Sequence, residues 1–200
     1  MDIKSAVICG VGGQGIVLAS DMLAEVMFRC GYDVKKNEIH GMSQREGSVV
    51  SFVRWGERVF SPVVSMGEGD FLLAFEYLEG LRYLSFLRRG GIALVSTTRI
   101  EPVPVKLGRM AYPSERDELF TSVGTLLKVD TDSLCREIGN PKLTNTILLG
   151  VFSCFLPAIE VSLWEGVIRD MVKPAYQEIN LKAFEKGREM GFSFLAKEGR

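Results

Sequence analysis

Ala6-Val7-Ile8-Cys9-Gly10-Val11-Gly12-Gly13-Gln14-Gly15-Ile16-Val17-Leu18-Ala19 is the stretch on which the fold turns. Residues 5–9 form a short apolar run that stops at Gly10 and reads as a buried strand. Beyond the glycines, Ile16, Ala19, Leu23, Val26 and Cys30 recur three or four apart, which predicts a helix over 15–29 that Gly31 terminates. A strand, a glycine-rich loop and a helix in that order are the context that raises a G-x-G-x-x-G pattern above chance. Gly10 is expected to permit a tight turn, Gly12 to let backbone approach a ligand, and Gly15 to let the helix pack closely. With Gly13 and Gln14 between them, these residues are the candidate cofactor-binding loop, because the first N–H groups of the helix would face an anion. Two other readings fit the same glycines: a crossover that is merely tight, and a contact with a protein partner. The acid of a nicotinamide fingerprint should fall near Lys35-Lys36-Asn37, with Asp33 too early and Glu38 late, which argues against NAD. No GxxxxGK[ST] pattern is present, so a P-loop NTPase is excluded.

Outward from this unit the same alternation continues. Strands are predicted near 32–36, 70–75, 92–97 and 126–129, with helices over 76–88 and 114–123. Gly90-Gly91 is expected to stop the first of these helices, and residues 103–107 to form a short extended piece among Pro102, Pro104 and Pro113. Residues 47–55 alternate with period two, Gly56-Glu57 reads as a turn, and 58–62 returns, which predicts a hairpin. From Thr131 the pattern is helical: 131–138, 142–155, 162–172 and 174–190. The expected architecture is α/β: a doubly wound, mostly parallel, Rossmann-like sheet with an inserted β-hairpin and a C-terminal helical tail. One domain, 1–200, would comprise an α/β body, 1–139, and the tail, 140–200, with Asn140-Pro141 at the junction. In the tail, Tyr176, Ile179, Ala183 and Phe184 share a face, and Trp164, like Trp55 near the hairpin, reads as packing or an interface anchor.

Composition removes several functional classes. Lys and Arg total 24 against 25 Asp and Glu, so there is no electrostatic footprint for nucleic acid or an anionic membrane. The four cysteines, Cys9, Cys30, Cys135 and Cys154, are scattered without a CxxC, and His40 is the single histidine; no metal site is predicted. The opening apolar run is too short for a signal peptide or a membrane span, which makes a cytoplasmic protein with reduced thiols the expectation.

The second candidate region is a polar stretch after the second strand. Asn37-Glu38-Ile39-His40-Gly41-Met42-Ser43-Gln44-Arg45-Glu46-Gly47-Ser48 should border the same crevice, because loops at the carboxyl ends of parallel strands line it. Arg45 could clamp a carboxylate or phosphate, Gln44 could orient it, and His40 could donate a hydrogen bond or shuttle a proton. A solvated connector is the alternative. No carboxylate stands at fixed spacing from His40 and no nucleophile lies in an elbow context, so no catalytic residue is assigned to this chain.

The glycine loop with Ile16-Val17-Leu18-Ala19, then Glu38-Ile39-His40-Gly41-Met42-Ser43-Gln44-Arg45 and Gly47-Ser48-Val49-Val50-Ser51, resembles the gamma module of the 2-oxoacid:ferredoxin oxidoreductases. Within that superfamily the His40 to Arg45 run is most similar to the small (beta) subunits of indolepyruvate ferredoxin oxidoreductases. The resemblance extends through residues 75–81, Asn140-Pro141, 145–150 and 180–184, nearly the whole chain. It implies a substrate- or partner-facing loop of His40, Gly41, Met42, Ser43, Gln44 and Arg45 in an enzyme complex that oxidatively decarboxylates a 2-oxoacid to an acyl-CoA. Thiamine diphosphate, Mg, [4Fe-4S] clusters and CoA would be held on or with a large (alpha) partner subunit, and ferredoxin would accept the electrons. Pyruvate or 2-oxoglutarate is the alternative substrate within the superfamily. A free-standing Rossmann-like nucleotide-binding protein or a purely structural interaction module are the readings outside it.

Overall fold

The computed structural model describes residues 3–41, 47–113, 120 and 123–199. Six strands, β1 (Lys4–Val11), β2 (Asp33–His40), β3 (Ser48–Gly56), β4 (Gly69–Ala74), β5 (Leu87–Ser96) and β6 (Thr125–Val129), form one sheet in the order β2-β3-β1-β4-β5-β6. The pairs β1–β4, β4–β5 and β5–β6 are parallel, while β3 runs antiparallel to both β1 and β2. Five strands thus point one way and β3 alone is reversed.

Seven helices complete the order: α1 (Ile16–Arg29), α2 (Tyr77–Tyr83), α3 (Val103–Lys106), α4 (Thr131–Ile138), α5 (Thr144–Ser153), α6 (Val161–Met171) and α7 (Gln177–Lys197). Because β1 and β4 are covered on both sides, their residues are buried almost without alternation. Ala6, Ile8, Leu73 and Phe75 face the larger core, built with α1, α5, α6 and α7. Val7, Cys9, Leu72 and Ala74 face a smaller one under Tyr77 and Phe120. Trp164 is 1% exposed, stacked on Phe184 at 6.0 Å and edge-on to Phe152 at 6.2 Å, so the tail belongs to the larger core. Trp55 is also buried, stacked on Phe71 at 6.2 Å.

The antiparallel element differs from the expected hairpin. Its arms are β2 and β3, joined through residues 41–47, and residues 58–62 form no strand. The reason lies in the ladder: β3 already spends one edge on β2 and the other on β1, so no edge is left for a returning strand. Arg54 instead holds that segment, donating to the Ser61 and Val63 carbonyls at 3.2 and 2.8 Å. The second strand runs to His40 rather than ending at 36. Residues 103–106 are helical, not extended, because Pro104 sits in a first helical turn, where its missing N–H costs nothing. The helix after β4 ends at Tyr83, a 3₁₀ turn follows, and Gly90 (φ 74°) lies within β5 instead of stopping a helix. The helix expected over 114–123 falls largely outside the described residues.

Candidate functional site

β1 continues through Val11, so Gly10 belongs to the strand, not the turn. Its missing side chain is needed for close approach: a Cβ there would lie 2.8 Å from Gln14 Oε1 and 3.0 Å from Phe75 Cβ. Gln14 fills that space. Its Oε1 accepts from the Val11 N–H and its Nε2 donates to the Phe75 carbonyl, both at 2.8 Å, stapling the ends of β1 and β4. Gln14, one of the candidate cofactor-binding residues, thus puts one acceptor and one donor into the fold. Gln14→Ala should therefore destabilise the protein by about 1–3 kcal/mol, read by chemical denaturation, and accelerate hydrogen exchange at the Val11 amide.

Gly13 (φ 100°) and Gly15 (φ 80°) supply the left-handed residues that turn the chain into α1. Gly15 caps the helix with no side-chain bond, and the first turn carries no acidic residue. The leading N–H groups of α1 consequently form a positive end. Gly12 is less free than expected, since its N–H donates to the Gly47 carbonyl at 2.8 Å.

That bond joins the glycine loop to the polar stretch. β2 ends at His40, whose side chain is half-exposed and whose Nε2 lies 3.2 Å from Glu38 Oε2. The Gly41 N–H donates to the Ser48 carbonyl at 3.0 Å, so Gly41 and Gly47-Ser48 close the base of the 42–46 connection against the glycine loop. Met42, Ser43, Gln44 and Arg45 lie outside the described residues. The cleft so formed has a volume of about 820 Å³ and brings together Gly12, Gly13, Gly15, Asp21, His40 and Gly41. Gly10 and Gln14 support it from below.

Topology decides what this cleft suits. In a dinucleotide-binding unit the second strand lies beside the first, and its terminal acid reaches a ribose. Here β3 intervenes, moving β2 outward by one more strand spacing of about 4.8 Å. Glu38 is engaged elsewhere: the Lys36 ammonium beside it holds its carboxyl below the usual range, and His40 adds to this. Burial works against the charge on Lys36, but hydrogen bonds from its ammonium to Asp21 and Glu38 hold its pKa up. No carboxylate stands at 35–37, where a nicotinamide fingerprint needs one, and the later Glu38 is paired with Lys36.

Beneath the cleft, on the opposite face of the sheet, is a buried polar group that sequence reasoning missed. Ser48 Oγ donates to Glu79 Oε2, Tyr83 Oη lies 3.2 Å from the same hydroxyl, and Arg82 Nε stands 3.5 Å from Glu79. Glu76 caps α2 by accepting from the Glu79 N–H at 2.8 Å, and takes bonds from Tyr112 Oη and the Ile100 N–H. The helix is the one expected from residue 76; a Glu at its N-cap and another three residues on is the signal that could have marked this carboxylate pair. Burial pushes the Glu79 carboxyl above the usual range, against the hydroxyl of Ser48. A raised folded pKa contributes stability that is present below the unfolded value and lost as pH rises through the folded one. Glu79→Gln should flatten the fall in thermal midpoint from about pH 4 to pH 7, while Ser48→Ala, which strips the acid of its donor, should cost about 1–3 kcal/mol.

Among the described residues no group of three or more His, Cys, Asp and Glu could hold a metal ion, and no helix is long and apolar enough to cross a membrane. The four cysteines are free, and Cys9, Cys135 and Cys154 are buried. These residues do not fit an iron–sulfur cluster, and no chemical step through a cluster or through thiamine diphosphate follows from them.

An open α/β sheet with a glycine crevice at the carboxyl ends of its parallel strands and, among the described residues, no acid placed for a ribose defines a Rossmann-like fold. The chain belongs to the pyruvate ferredoxin/flavodoxin oxidoreductase family, whose model matches residues 5–190. It is 41% identical over 188 residues to the indolepyruvate oxidoreductase subunit IorB of Thermococcus kodakarensis, covering 90% of this chain and 92% of that protein. The gamma subunit of a keto/oxoacid ferredoxin oxidoreductase from Geobacter sulfurreducens superposes with a TM-score of 0.71 at 21% identity, over 95% of this chain and 99% of that one. The 2-oxoglutarate:ferredoxin oxidoreductase of Magnetococcus marinus, solved with 2-oxoglutarate, coenzyme A and succinyl-CoA, gives a TM-score of 0.77 at 18% identity. This match covers 96% of this chain and 32% of that protein, so the same fold forms one third of a larger chain there.

Proposed function

We propose that this chain is the small subunit of an indolepyruvate (aryl-pyruvate):ferredoxin oxidoreductase, carrying neither thiamine diphosphate nor clusters itself. The observation that carries the reading is the 41% identity, over 90% of the chain, to a subunit of an indolepyruvate oxidoreductase. The partner is a large (alpha) subunit holding thiamine diphosphate, Mg and [4Fe-4S] clusters, with CoA as acyl acceptor and ferredoxin as electron acceptor, in the cytoplasm. Thiamine diphosphate supplies the carbanion chemistry of decarboxylation. This chain's part is to bind and orient. Residues 1–200 act as one gamma-type domain, since α5, α6 and α7 share a core with β1, β4 and α1. The N–H groups opening α1, with Gly13 and Gly15, offer donors to an anionic group while Gly12 braces the loop through Gly47, and His40, Gly41, Met42, Ser43, Gln44 and Arg45 are the partner- or substrate-facing residues.

Co-expression of this chain with its large partner should yield a complex that reduces ferredoxin or a viologen dye with indolepyruvate and CoA. Activity of the large subunit unchanged by omission of this chain would overturn the reading. A panel with pyruvate and 2-oxoglutarate separates the other substrates of the superfamily. Calorimetric titration of the chain alone with NAD(H), NADP(H) and FAD tests the free-standing nucleotide-binding alternative, for which micromolar affinity would be required.

A further inference from the structure

A second pocket, of about 470 Å³, lies where α6 ends and α5 and α7 begin. It shares only Leu18 with the glycine cleft. We propose that it binds a small amphiphilic anion: a phosphate or carboxylate group carried on a flat or apolar body.

Three sets of residues point to that chemistry. Lys142 and Lys173 stand at its rim, and no acidic residue lines it. Both lysines are exposed, and neither forms an ion pair with a described carboxylate. The wall is apolar, with Leu143, Met171 and Val172, and Tyr176 presents a half-exposed ring at the edge.

The third set is the most specific. Asn145 is 4% exposed, and its Oδ1 accepts from the Thr146 N–H at 2.9 Å. Its Nδ2 has no acceptor among the described residues, although the residue lines the pocket. Only the bare backbone of Gly15 leaves that amide room, because a Cβ there would sit 2.7 Å from Nδ2. Asn180, the other buried amide, donates to the Tyr176 carbonyl at 2.8 Å and accepts from Thr146 Oγ at 2.7 Å, so both of its ends are engaged. The Asn145 nitrogen is not sealed off from solvent, so both of its hydrogens are open to an acceptor that enters the pocket. The N-terminus of α5 has no side-chain cap from its N-cap residue, and its Thr146 N–H is already taken by Asn145 Oδ1, so the pocket's free donors are the Asn145 amide and the two lysines. Two cations, unused donors and an apolar wall call for an acceptor-rich head with a hydrophobic remainder.

The full-length chain, labelled with nitrogen-15, would be titrated with phenyl phosphate, phenylacetate and inorganic phosphate while its amide spectrum is followed. Saturable shifts are expected at the Asn145 side-chain amide, Lys173 and Tyr176. An aryl anion should bind about tenfold tighter than inorganic phosphate, and K142E/K173E should weaken binding by about tenfold or more with the thermal midpoint unchanged. The preference between phenyl phosphate and phenylacetate assigns the head group. No saturable shift at these residues with any of the three probes would overturn the proposal. So would shifts confined to Gly12 through Val17, inorganic phosphate binding as tightly as the aryl anions, or affinity that survives K142E/K173E. The result is independent of whether the subunit reading holds, since no partner chain is present.

Discussion

Gly187→Ala is expected to unfold the protein or leave it barely folded at 25 °C. α5 and α7 approach so closely that a Cβ on Gly187 would lie 2.0 Å from the Ile147 carbonyl oxygen, and one on Gly150 would lie 2.1 Å from the Phe184 carbonyl oxygen. These obstacles are backbone atoms of helices, so no rotamer change relieves them; the helices must move apart. Separation would open the core around Phe152, Phe184 and Trp164, all 1% exposed or less. Overpacking of that kind costs about 4 kcal/mol or more, against a total of about 5–15 kcal/mol for a typical domain. Gly166→Ala in α6 is the control, because a Cβ there meets nothing within 4 Å. It should stabilise by about 0.5–1 kcal/mol through helix propensity alone. Urea denaturation of the three proteins checks both signs; a Gly187→Ala protein as stable as wild type would show that the helices do not meet as described.

Trp164→Ala should cost about 3–5 kcal/mol, by loss of buried aromatic area and the cavity left between Phe152 and Phe184. The indole N–H of Trp164 is buried and finds no hydrogen-bond partner among the described residues. Trp164→Phe removes that unsatisfied donor along with part of the ring, and should cost less than about 1.5 kcal/mol. The difference between the two variants, measured in one denaturation series, separates packing from polar penalty. Equal costs would mean that the N–H is satisfied in solution.

The parallel half of the sheet was readable because its strands are buried on both faces and separated by helices with clear 3.6-residue periodicity. Phe71 to Ala74 and Ile92 to Val95 carry little but apolar side chains, and β4 and β5 are found there. The reversed strand was readable as a strand but not by its partners. Alternation along 48–55 declares a strand, yet nothing local tells whether its ladder edges go to 33–40 and 4–11 or to a following segment. At the site, the glycines were legible and their tasks only partly. Gly13 and Gly15 turn the chain, whereas Gly10 makes space for Gln14, and Gln14 staples two strands. Asn145 and Glu79 were invisible as polar anchors, because each acts across more than thirty residues: Asn145 against Gly15, Glu79 against Ser48.

The reversed strand has a consequence for how such a module can diversify. Both anchors at the base of the 42–46 connection, Gly12 to Gly47 and Gly41 to Ser48, are backbone-to-backbone bonds. They ask nothing of the side chains between them. Strand register, core and both glycine turns are therefore tied together at this edge by main chain alone. Residues 42–46 grafted between family members should leave the fold intact, so a change of activity in the graft would report on that connection and not on a damaged scaffold.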